Sequence, residues 1–106
     1  MGVRVRIEFG DDVVRAFCER LTGHNYPWST AVRRPLMVRM QALDAARDLR
    51  DIQALRSLRF MAADATRGSI HVDDTHRLHV EFLPGPPMSI SIQGLTEEPP
   101  TGVRNV

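Results

Sequence analysis

"GSIHVDDTHRLHVEFL", residues 68–83, decides the fold. Its apolar residues alternate with polar ones: Ile70 and Val72 before "DDT", then Leu78, Val80 and Phe82 after it. A period of two is that of a strand with one buried side. The aspartates between the runs are turn formers, so the stretch reads as a β-hairpin. A third run, "MSISI", follows "PGPP" and turns Ile90 and Ile92 inward. Two hairpins in succession make an antiparallel meander. Directly opposed residues of an antiparallel pair share a face. The register expected on that ground opposes Val72 to Leu78, Ile70 to Val80, His71 to His79, Ser69 to Glu81 and Asp73 to Arg77. Across the second hairpin it opposes His79 to Ser91 and Glu81 to Ser89. The outer face then carries His71, Arg77, His79 and Glu81, with His76 separate in the turn.

Upstream, "VRVRIEF" (residues 3–9) alternates in the same way and predicts another half-buried strand. Joined to the same sheet, it adds Arg4, Arg6 and Glu8 to the outer face. Residues 11–22 predict a helix, with Val13, Val14, Phe17 and Leu21 on one stripe, an aspartate cap, and Gly23 closing the end. "HNYPWST" is a loop, and Pro27 and Pro35 bracket an extra turn. A second helix starts near Pro35 and presents Leu36, Met37, Met40 and Leu43 through about residue 47. The spacing of Leu49, Ile52, Leu55 and Leu58 leaves open whether that helix continues or breaks near Asp48. "MAADATRG" reads as a connecting loop. The expected order is β-α-α-β-β-β: an α+β domain with a small antiparallel or mixed sheet and two helices on one face. Residues 1–94 form this domain, and residues 95–106 form a flexible tail.

Composition agrees with one domain. The chain has 106 residues, 42% hydrophobic and 25% charged, which suits one modest core. No apolar run reaches membrane-helix length, and the N-terminus lacks the apolar core of a signal peptide. A single cysteine, Cys18, excludes an internal disulfide framework and points to a cytoplasmic setting. All 14 basic residues are arginine, so every cationic site carries the planar fork suited to phosphate or carboxylate. Residues 33–59 hold seven arginines against three aspartates. That basic middle fits an acidic or nucleic-acid partner, or simply a solvated helix face.

The histidine-rich hairpin invites a metal reading, but strand alternation sends His76 and His79 to opposite sides. Cysteine ligands and a His-Glu-x-x-His helix are both absent. No metal or other cofactor is expected. An ordinary polar sheet surface is the plain alternative. The third reading is chemistry on phosphate. Metal-free RNA cleavage needs a base for the 2′-hydroxyl and cations for the charge that builds on phosphorus. Arg77, His79 and Glu81 on one strand face supply those groups.

Residues 36–93 resemble the HigB-type (plasmid maintenance killer protein) branch of the RelE/ParE toxin superfamily. "LDAARDLRDI" is similar to that branch's second-helix ending, "LRSLR" to its short basic element, and "SIHVDDTHRLHVEF" to its hairpin. The resemblance implies a RelE-like fold and a toxin of a type II toxin–antitoxin system. Such a toxin is a metal-independent endoribonuclease that cuts mRNA on the ribosome and is held by a cognate antitoxin, of helix-turn-helix type in this branch. By position it places Arg77 at the catalytic strand arginine and Arg59 at a phosphate-contacting basic residue. Arg56 falls where some members have histidine. His79 and Glu81 are the expected acid–base groups, and Arg4, Arg6, Arg56 and His71 the expected RNA contacts. The chain departs from the branch at its end: Leu95 and Thr96 stand where tyrosine and histidine are usual. A catalytically weakened or inactive relative, serving as an antitoxin- or RNA-binding module, is therefore the alternative. A gyrase-directed toxin of the ParE type is disfavoured by the hairpin. Finally, Tyr26 and Trp28 suit either base stacking or the edge of a core.

Overall fold

The computed structural model describes residues 5–85 and 87–97. Arg4 and residues 98–106 of the expected tail lie outside them. The order is β1 (Arg6–Phe9), α1 (Asp12–Cys18), a 3-10 turn (Thr30–Val32), α2 (Arg33–Ala45), α3 (Leu49–Ala54), a second 3-10 turn (Arg56–Leu58), β2 (Met61–Ala62), β3 (Arg67–Asp73), β4 (His76–Leu83) and β5 (Ser89–Glu97). The chain is a small α+β protein with one five-stranded sheet in the order β1-β5-β4-β3-β2. The sheet is mixed: β1 runs parallel to β5 and the other pairs are antiparallel. Its apolar face meets the helices, and Phe17, Leu36, Leu43, Ile52, Ile70, Leu78, Ile90 and Ile92 are fully buried there. Among the described residues, no helix is long and apolar enough to cross a membrane.

The faces of the strands are as expected, but the register is not. The first hairpin opposes Ile70 to Leu78, His71 to Arg77, Ser69 to His79 and Arg67 to Glu81. Every expected partner is thus displaced by two residues, which keeps each side chain on its face. The cause is the turn. Asp73 Oδ1 accepts from the Thr75 amide at 2.9 Å, an Asx turn that lets β4 begin at His76. An irregularity between His71 and Asp73 absorbs the odd residue. His76 is accordingly a strand residue on the helix side, 8% exposed, and not an isolated turn histidine. In the second hairpin Glu81 faces Ser91 and His79 faces Gly94, with a bulge that leaves Gln93 as the extra residue.

Further corrections follow from local chemistry. Helix α1 ends at Cys18, short of the expected residue 22. Arg20 adopts φ 58°, the Leu21 amide reaches Ala16 O and the Arg20 amide reaches Phe17 O. This is a Schellman ending with arginine where glycine is usual, and it leaves Gly23 out in the loop. The question at Asp48 resolves as a break: its carboxylate accepts from the Asp51 amide and starts a third helix. Part of "MAADATRG" is not loop, because Met61 and Ala62 form a short edge strand on β3. The expected tail boundary at residue 95 is also displaced, because β5 continues through Glu97 and buries Leu95.

Gly68 lies where β3 passes beneath Phe60, whose ring meets Phe82 edge-on at 5.5 Å. A Cβ at Gly68 would stand 2.5 Å from Phe60 Cε1 and 2.7 Å from Met61 O. The ring can turn but the β2 backbone cannot retreat without losing its pairing. Gly68→Ala is expected to cost about 2 kcal/mol, in the range of overpacked cores. Differential scanning fluorimetry should show a fall in Tm of roughly 10 °C.

Candidate functional site

The outer sheet face is polar and is not covered by the helices. Alternation along β4 turns Arg77, His79 and Glu81 to it, while His76, Leu78, Val80 and Phe82 turn inward. Cross-strand pairing builds two neighbouring rows. One runs His71–Arg77–Thr96, the other Ser69–His79–Gly94.

Arg77 is held by its own chain. Its Nε donates to Ser69 Oγ at 2.9 Å, and its Nη2 donates to Arg59 O at 2.9 Å and Ser69 O at 3.1 Å. Its Nη1 has no hydrogen-bond partner among the described residues. The forked guanidinium is thereby fixed while one edge remains open. Arg59 caps the second 3-10 turn in a left-handed conformation, φ 43°, which offers its carbonyl to Arg77. The two arginines meet through that backbone contact, 18 residues apart in sequence. From α2, Arg39 Nε donates to the His71 carbonyl at 3.1 Å.

His71 therefore sits among arginines. Burial is the first cause that lowers its pKa, followed by the charges of Arg59, Arg39 and Arg77, with Asp74 partly opposing. The ring is kept neutral near pH 7. His79 Nε2 lies 2.7 Å from Thr96 Oγ1, so the last strand orients that imidazole. On the other side of the sheet His76 Nδ1 lies 2.9 Å from Asp73 Oδ1 and 2.8 Å from Thr75 Oγ1. Burial raises the Asp73 pKa, but the Thr75 amide and His76 outweigh it and leave it lowered.

Arg77, Arg59, His71 and His79 are thus brought to one region. The other expected site residues lie further off. Glu81 shares the face two residues beyond His79 and four beyond Arg77, about 13 Å from the latter at strand rise, in a row with Arg67 and Ser91. Arg6 pairs with Ser89, which pairs with Leu83; that is about 20 Å along the strands from Arg77. Arg56 is exposed on its turn, and Arg4 is outside the described residues. Trp28 and Tyr26 take the core-edge role: both rings contact Phe17, and Trp28 Nε1 donates to Leu95 O at 3.0 Å. Ser69, Thr96 and Arg39 are site residues that pattern reading missed. The first two become visible only once the register is known, and the third only once α2 is docked.

The lowered pKa values give a pH dependence with a definite sign. Protonated His71 is disfavoured in the folded chain, so its contribution is complete above the ordinary histidine value of 6.5 and is lost as pH falls through the folded value. Asp73 contributes above its ordinary 3.8 and is lost at lower pH still. Urea unfolding at stepped pH should show stability declining below pH 6.5 and again below pH 3.8. The His71→Gln variant should lose most of the first decline.

The chain matches no protein-family model, no curated protein and no solved structure.

Proposed function

We propose that this protein is a RelE-fold toxin of the HigB type. In this reading it is a metal-independent endoribonuclease that acts on mRNA at the ribosome and is neutralised by an antitoxin. The observation that carries the reading is the convergence of Arg59, Arg77, His71 and His79 on the open sheet face, with one edge of the Arg77 fork unspent. In the proposed reaction the RNA 2′-oxygen attacks the adjacent phosphorus in line, the P–O5′ bond breaks, and the departing 5′-oxygen takes a proton from water, giving a 2′,3′-cyclic phosphate and a 5′-hydroxyl. A histidine takes the 2′-hydroxyl proton. His79, oriented by Thr96, is the expected base, and His71 lies in the neighbouring row beside Arg77. Arg77 and Arg59 balance the charge that builds on the phosphoryl oxygens. Glu81, on the same face two residues beyond His79, is the second choice for that proton transfer.

A second reading has its own support. Leu95, at the position where the resemblance calls for tyrosine, is turned into the core at 6% exposure, and Thr96 is a hydroxyl where an imidazole is usual. A binding module of the same fold, able to hold antitoxin or RNA without cutting it, accounts for both. Translating ribosomes with a defined mRNA and purified protein separate the two. New 3′ ends on the mRNA support the toxin, whereas co-sedimentation with intact mRNA supports the module. Growth unaffected by expression, with mRNA neither cut nor bound, counts against both.

A further inference from the structure

We propose that the free edge of β1, with the groove beside it, receives an extended partner peptide whose residues alternate apolar, basic, apolar. Among the described residues β1 is an edge strand whose one sheet neighbour is β5. The Arg6 amide bonds to Met88 O and the Gly10 amide to Ile92 O. Alternation therefore points the amides and carbonyls of Ile7 and Phe9 the other way, to the open edge. Their side chains lie on the helix side, paired with Ile90 and Ile92. There they line a groove of about 390 Å³ with Cys18, Met37 and Met40. Unsatisfied strand edges of this kind accept a further strand: the backbone bonds supply affinity, and alternate side chains entering pockets supply selectivity. The groove is apolar enough for burial to push the Cys18 thiol up to about 11.

Charge defines the occupant. Glu8, between Ile7 and Phe9, projects from the opposite face and has no ion-pair partner among the described residues. Its β5 neighbour is Ser91, and beyond that comes Glu81. A peptide that sets apolar residues opposite Ile7 and Phe9 therefore sets its middle residue opposite an acid, which calls for lysine or arginine. A second copy of this chain fits worse. Ala46 O already takes the Val5 amide at 2.9 Å, so the usable edge starts at Ile7. The antiparallel self-pairing that uses Ile7 and Phe9 of both copies then opposes Glu8 to Glu8.

The test uses two blocked synthetic peptides, identical except at the centre: threonine–valine–lysine–valine–threonine and the same sequence with glutamate. The lysine peptide should bind the full chain about tenfold more tightly and slow hydrogen exchange at the Ile7 and Phe9 amides. Glu8 is exposed, so Glu8→Lys should fold normally and reverse the preference. Absence of binding at millimolar peptide, protection at the β2 edge instead, or a preference that Glu8→Lys leaves unchanged would overturn the proposal. So would protection of Ile7 and Phe9 without peptide together with a dimer in light scattering, which would assign the edge to a second copy.

Discussion

Replacing Arg77 by alanine should lower RNA cleavage by 10²-fold or more, the loss typical when one preorganised donor to a developing oxyanion is removed. The loss has two sources. The open Nη1 edge is the proposed phosphoryl contact, and the bonds to Ser69 and to the Arg59 carbonyl set the second arginine in place. Arg77→Lys separates charge from geometry. An ammonium keeps the charge but cannot reach Ser69 Oγ and two carbonyls as a planar fork does, so activity should stay at least tenfold below native. Bonds from a charged donor are worth about 1.5–3 kcal/mol each, so a fall in Tm is expected in both variants and the comparison is made below the lowered midpoint. Cleavage kinetics on ribosome-bound mRNA, read beside a melting curve, make the comparison. Native-like cleavage by Arg77→Ala would remove this arginine from the chemistry.

The largest effect on stability is expected at Phe17. Its ring is fully buried. It meets Tyr26 edge-on at 5.3 Å and Trp28 at 5.1 Å, and the Arg33 guanidinium lies 4.5 Å above it. Arg33 Nε also donates to the Phe17 carbonyl at 2.7 Å. One residue thus holds α1, the loop carrying Tyr26 and Trp28, and the start of α2. Phe17→Ala should cost about 3–5 kcal/mol, a large share of the stability of a domain this size, and lower Tm by roughly 20 °C. Trp28 emission should shift to the red as its ring loses its neighbour. Phe17→Leu keeps most of the volume and should cost well under half as much.

Periodicity carries strand faces well and strand partners poorly. Each apolar residue of β3, β4 and β5 named from alternation lies on the helix side, because burial of one face overrides everything else in such strands. A shift of two residues leaves those faces unchanged, so the apolar pattern cannot detect it. The choice was made by Asp73 accepting from the Thr75 amide, a contact that "DDT" permits among several. The site was affected directly: with the observed register Arg77 stands beside His71 and Thr96, and His79 stands beside Ser69. The early end of α1 was hidden for a similar reason. Gly23 is the expected stop, yet Arg20 takes the left-handed position at a modest steric cost and lets Phe17 receive the loop. The break before α3 was half visible, since Asp48 is a capping residue but Leu49 and Ile52 continue the helical spacing.

The placement of β5 between β1 and β4 has a consequence for assembly. The earliest described strand and the hairpin do not touch through backbone pairing; the last described strand joins them. While the chain is being synthesised, β1 and the β3–β4 hairpin await a central neighbour, and Thr96, which steadies His79, arrives after every other residue of the basic face. Such distant pairings close late and slowly. A nascent chain therefore cannot complete this surface until Thr96 has cleared the exit tunnel.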